Sequence, residues 1–129
     1  MTPTEWSRVQ YFTMHEAWGD PDKMDRELVG YLDEFRHFLG IPIMVLCGTQ
    51  GTHKANSQHP FGKAVDVAVP EWDKHLLDLM LAATRFPFRG VGIYPDWVYN
   101  GKRVGGLHLD TRDLSGAYPR VHKAFWMGI

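Results

Sequence analysis

From Lys63 to Val69 the chain alternates with a period of two: Lys63, Val65, Val67 and Val69 face one way, and Ala64, Asp66 and Ala68 the other. This reads as a strand with one apolar face and, on the opposite face, a carboxylate whose neighbours are only methyl groups. A carboxylate left alone there is costly, so Asp66 needs a partner. Just upstream, in Ser57-Gln58-His59-Pro60-Phe61-Gly62, Pro60 biases His59 towards an extended backbone and Gly62 supplies the turn into the strand. Far downstream, Gly105 to Asp110 alternates in the same way, with Leu107 and Leu109 on one face and Gly106, His108 and Asp110 on the other. Two such strands and a loop histidine can bring His59, Asp66 and His108 to one ion. Three protein ligands with a fourth position open is the arrangement of a catalytic zinc, and two imidazoles with a carboxylate suit that metal.

Ser57, His59, Gly62, Ala64 and Asp66, followed by the distant His108, resemble the pattern of the zinc D-alanyl-D-alanine peptidases and their phage endolysin relatives. The fold of that family also occurs in the Hedgehog signalling domain and in lysostaphin-type enzymes. Gly90-Val91-Gly92-Ile93-Tyr94-Pro95, ahead of Gly106-Leu107-His108-Leu109-Asp110, is similar to a run in one branch of the family, and the likeness covers roughly residues 24 to 112. The resemblance implies a Hedgehog/DD-peptidase-like α+β fold, a small mainly antiparallel sheet with two or three helices packed on it. It implies zinc on His59, Asp66 and His108, and hydrolysis of an amide next to a D-amino acid in bacterial cell-wall peptides. The implied partner is thus a peptidoglycan peptide, cut by a carboxypeptidase or an endopeptidase, and the implied setting is a phage-derived lysis or virion-associated enzyme or a prophage remnant.

The chain departs from the family pattern twice. Several members carry an acid three residues before the second histidine, as the base that takes the proton of water; Gly105 stands there. Asp110 is the replacement candidate. It projects from the same strand face as His108, about 6–7 Å away by strand geometry, and serves either as that base or as the partner that orients a ligand histidine. Many members also have a Tyr-Arg-Ser run that binds substrate, where this chain has Cys47-Gly48-Thr49-Gln50-Gly51-Thr52-His53. His53 can donate to a substrate carboxylate, a carbonyl or an oxyanion, or is a surface loop residue. Ser57 joins it in the candidate substrate-binding set, and with Asn56 can fix the loop through side-chain to backbone bonds. Arg112 either binds a peptide carboxylate or is a surface cation. These departures favour a second reading, a non-catalytic zinc-stabilised binding module of the same fold; a cytosolic dipeptidase is a third.

The 129 residues read as one domain over 1–129, long enough to bury about two-thirds of the unfolded surface. A net charge of -1 speaks against a nucleic-acid binder, which shows a basic stripe. No apolar run approaches the ~20 residues of a membrane helix, so membrane insertion is not expected. Met1-Thr2-Pro3-Thr4-Glu5-Trp6 has neither a basic region nor an apolar core, which predicts a chain made in the cytoplasm without a signal peptide; a monomer is expected. The single cysteine, Cys47, excludes an internal disulfide and reads as a small core residue. His15, His37, His75 and His122 read as surface or edge residues.

Along the chain, Trp6, Tyr11, Phe12 and Trp18 are expected to cover one side of the core. Asp20-Pro21 reads as the start of a helix of about four to five turns, with Met24, Leu28, Leu32, Phe35 and Leu39 as its stripe and Gly40 as its stop. Ile41 to Leu46 reads as a buried strand. A second helix opens at Pro70-Glu71 with Leu76, Leu79, Met80 and Ala83 inward. Gly90 to Tyr94 reads as a strand with Trp97 to Tyr99 pairing back on it, Asn100-Gly101 as a hairpin turn, and the aromatic tail from Ala117 as a short docked helix.

Overall fold

The structure, a computed structural model, describes residues 1–51, 57–70, 72–112 and 124–128. The two alternating stretches become neighbouring strands at the middle of a sheet. Its strands are β1 (Met44–Cys47), β2 (Ala64–Val69), β3 (Gly90–Tyr94), β6 (Gly105–Asp110) and β7 (Ala124–Met127), in the order β1-β2-β6-β3-β7. The first four pair antiparallel, and β7 runs parallel to β3 at the edge. A separate hairpin joins β4 (Val98–Tyr99) to β5 (Lys102–Arg103). Its turn residues, Asn100 and Gly101, both have positive φ, as an Asn-Gly hairpin turn demands.

One face of the sheet carries Val65, Val67, Val69, Leu107, Leu109, Val91 and Ile93, all buried. Helices α2 (Arg26–Leu39) and α3 (Trp72–Arg85) add to the same core, α2 through Leu28, Val29, Leu32 and Phe35, α3 through Leu79, Ala82 and Ala83. Phe35 meets Phe86 and Phe88 edge-on at centroid distances of 5.5 and 5.8 Å, an arrangement favoured by ring quadrupoles. The short α1 (Pro3–Trp6) brings Trp6 against Trp18, so the lead-in residues Trp6, Phe12 and Trp18 are buried as expected. The class is α+β, with three helices among the described residues.

Four details differ from the sequence reading. Asp20 caps only a 3-10 turn, Pro21–Lys23; Met24 then becomes extended, and Asp25 caps α2 by accepting from Leu28 N–H. Two capping residues lie in tandem here, and the second starts the helix. The first strand is displaced towards Cys47. Trp97 to Tyr99 does not pair on β3, because β6 occupies that edge. The tail places β7 in the sheet where a helix was expected; residues 113–123 lie outside the described set.

Gly62 explains one position of the motif. It ends the 3-10 turn His59–Phe61 at φ 70°, and a Cβ there would lie 1.9 Å from the Lys23 carbonyl oxygen. Its own carbonyl accepts from Asp25 N–H at 2.9 Å, tying the His59 loop to the start of α2. Gly62→Ala therefore adds left-handed strain of roughly 1–2 kcal/mol and an overpacking cost of about 1–3 kcal/mol. Urea unfolding should show a loss of about 2 kcal/mol or more with an unchanged m-value. A midpoint equal to wild type would mean that this loop does not pack as described.

Candidate metal centre

The register of the sheet assembles the site. Asp66 of β2 stands directly opposite His108 of β6 on one side and opposite Cys47 of β1 on the other, where the β1 ladder is shifted between Val45 and Cys47. His59 arrives from its 3-10 turn, buried at 4% exposure, with its N–H held by Ser57 Oγ at 3.2 Å. Ser57 thus fixes the loop.

Each imidazole is held at one nitrogen and turns the other to the same carboxylate oxygen. His59 Nδ1 lies 2.7 Å from the Gly48 carbonyl, an acceptor, so it carries the N–H; its Nε2 is 3.3 Å from Asp66 Oδ1. His108 Nε2 lies 2.7 Å from Asp110 Oδ2, while its Nδ1 is 3.0 Å from Asp66 Oδ1. The two rings meet edge-on at 5.1 Å. Histidines that ligate metals are arranged this way, one nitrogen donating to a carbonyl or carboxylate and the other left for the ion.

Electrostatics agree. Burial would push both imidazoles down and both carboxylates up, but their mutual bonds win. Asp66, then Cys47 and the Gly48 carbonyl, raise His59 to about 10. His108 is raised by Asp110 and Asp66. Asp66 is held below its usual range by His108 and His59, and Asp110 at about 2 by His108 and Arg112. A cation held here would have to displace protons from the imidazoles, since ligation needs the neutral ring.

Among the described residues, Cys47, His59 and Asp66 each offer one ligand atom within 4.8 Å of the others, a group that can hold a metal ion. His108, expected as the third ligand, stands outside that group, although its Nδ1 lies 3.0 Å from the same Asp66 oxygen. Sequence reasoning missed Cys47 as a donor. Its apolar predecessors Ile43 to Leu46 looked like core, and only the pairing of β1 with β2 shows that it borders Asp66.

Asp110 meets His108 side chain to side chain, and is 0% exposed. Arg112 grips it with both ends of its fork: Nε donates to Oδ1 at 2.9 Å and Nη2 to Oδ2 at 2.7 Å, while the Arg112 backbone N–H reaches Oδ1 at 3.1 Å. Room for this carboxylate comes from Gly90, where a Cβ would lie 2.2 Å from Oδ2. The Arg112 guanidinium lies 5.0 Å above the Trp126 ring, which itself sits 5.2 Å from His108. Trp126 Nε1 donates to the Tyr94 hydroxyl at 2.8 Å, and Tyr94 stacks on Trp97. Sequence reasoning did not place this aromatic wall at the site, since only the parallel docking of β7 puts Trp126 opposite Gly92.

Gly105 has a structural reason. It lies on the face of β6 opposite His108, where a Cβ would be 1.9 Å from Trp72 Cγ. An acid at that position would point into Trp72 of α3, away from the site. His53 and Asn56 lie outside the described residues, as does His122. His15 and His37 are exposed, and His75 is half-buried on α3.

Compared with known proteins, the chain matches no family model and no curated protein. Fold and site together define an α+β domain carrying a candidate Cys/His/Asp metal centre.

Proposed function

We propose that this chain is a zinc-dependent metallopeptidase of the Hedgehog/DD-peptidase type that hydrolyses an amide bond in bacterial cell-wall peptides. The observation that carries the reading is the shared pattern of the two imidazoles: His59 and His108 are each tied at one nitrogen, and both present the other to Asp66 Oδ1. Zinc held by His59, Asp66 and His108 would supply a Lewis acid that polarises a carbonyl and acidifies a water. The chain's own residues do the rest. Gly48 and Asp110 fix the two rings, and Arg112 fixes Asp110. With both its oxygens engaged and no exposed surface, Asp110 is assigned to positioning His108, which is one of the two roles its sequence position allows. The wall substrate rests on the family resemblance alone, and with it a phage or prophage setting.

Zinc-loaded protein incubated with muropeptides should release fragments whose new ends map to a single amide bond by mass spectrometry, and chelation should stop the release. Intact muropeptides after prolonged exposure would reject the peptidase. The binding-module reading would then take its place, favoured by Cys47 beside the site and by the occupied oxygens of Asp110.

A further inference from the structure

We propose that Trp126 is a positioning residue of the metal centre: carried in by β7, it holds Arg112 against Asp110 and so fixes the ring of His108. The proposal rests on the zinc reading above. One row across the sheet brings the parts together, since Gly92 of β3 stands opposite His108 on one side and opposite Trp126 on the other. Gly92 has no side chain to keep the two apart; a Cβ there would lie 2.5 Å from Trp126 Nε1. The indole therefore reaches across β3 until its ring lies 5.2 Å from that of His108. Gly90, the neighbouring position on the same face, makes room for the Asp110 carboxylate from the other flanking strand.

Arg112 is where the two sides meet. Its fork binds both oxygens of Asp110, while its guanidinium carbon lies 5.0 Å from the centroid of the Trp126 ring. A cation over an indole at that distance is attracted by the negative face of the ring, and tryptophan is the aromatic for which the effect is strongest. The Arg112 side chain is 31% exposed, so water competes for its donors. The indole takes one face of the guanidinium out of that competition, and a planar fork gripped at its edge and on its face keeps one orientation. The indole is itself anchored: Nε1–H donates to the Tyr94 hydroxyl at 2.8 Å, and the Tyr94 ring stacks on Trp97 at 4.4 Å. Side-chain contacts thus run from Trp97 through Tyr94, Trp126, Arg112 and Asp110 to His108. Their effect is to keep His108 Nε2 on Asp110 and Nδ1 turned to Asp66 Oδ1.

Zinc titration into metal-free protein tests this, with wild type compared with Trp126→Leu, Trp126→Phe, Arg112→Ala and the Trp126→Leu/Arg112→Ala double variant. Trp126→Leu should bind zinc about tenfold more weakly, the lower end of the roughly 10–100-fold that loss of an outer partner costs. Trp126→Phe keeps a ring against the guanidinium and should recover most of that loss. Because Trp126 acts through Arg112, the double variant should bind no more weakly than Arg112→Ala. By NMR of the metal-free protein, the Arg112 Nε–H proton should be shifted upfield by the indole in wild type and lose that shift in Trp126→Leu. Should Trp126→Leu fail to fold, Tyr94→Phe removes only the acceptor of the indole N–H and should weaken zinc in the same direction. Zinc affinity equal to wild type in Trp126→Leu, or in Tyr94→Phe where it stands in, overturns the positioning role and leaves the three ligands standing. So do losses that add in the double variant, a Trp126→Phe as weak as Trp126→Leu, or an Arg112 signal that Trp126→Leu does not move. No zinc uptake by wild type overturns the zinc reading, and the positioning role with it.

Discussion

Asp66→Ala should leave the protein unable to retain zinc and with turnover on muropeptides at background. Its carboxylate touches both histidines: Oδ1 lies 3.3 Å from His59 Nε2 and 3.0 Å from His108 Nδ1. Removing it takes away one ligand and also the group that turns both rings inward. The affinity loss should exceed the roughly 10–100-fold that follows when only an outer partner of a ligand is lost. Stability supplies an independent reading. A ligand that binds only the folded chain stabilises it by about 2.7 kcal/mol at a hundredfold excess over its Kd. Added zinc should therefore raise the melting temperature of wild type and leave that of Asp66→Ala unmoved. An equal rise in both would remove Asp66 from the site.

The second large effect concerns Asp110. In Asp110→Asn the side chain keeps its size and one acceptor for His108 Nε2–H, but loses the charge that holds Arg112. If Asp110 orients His108, zinc affinity should fall by roughly 10–100-fold, and turnover should recover when zinc is supplied in excess. A base would behave otherwise: zinc would stay bound while turnover fell by something like 10²–10⁴-fold. The burial of Asp110 and the grip of Arg112 on both its oxygens lead us to expect the first result. Unchanged zinc with unchanged turnover would reject both roles and direct the search for a base to His53.

What was legible in the sequence was what alternation and capping encode. The period-two pattern of β2 and β6 named the core face and, by difference, the face of Asp66, His108 and Asp110. Gly40 stops α2 in the left-handed conformation, as its position suggested. The order of strands was not legible, because periodicity says which face a residue occupies and nothing about its neighbour across the ladder. Cys47 and Trp126 were missed for that reason, although both border the site. The start of α2 was misjudged because Asp20 and Asp25 are equally good caps, and only packing of the Gly62 carbonyl on Asp25 N–H separates them. Gly105 looked like a missing acid; the structure gives it a packing role against Trp72, on the face that cannot reach the ion.

The central claim is that His59, Asp66 and His108 together hold one zinc. Isothermal titration of zinc into metal-free protein tests it most directly, with wild type, His59→Ala and His108→Ala compared under one buffer. The account predicts a single site per chain in wild type and loss of that site in both variants. Zinc bound by His59→Ala and His108→Ala with the stoichiometry and affinity of wild type would contradict it.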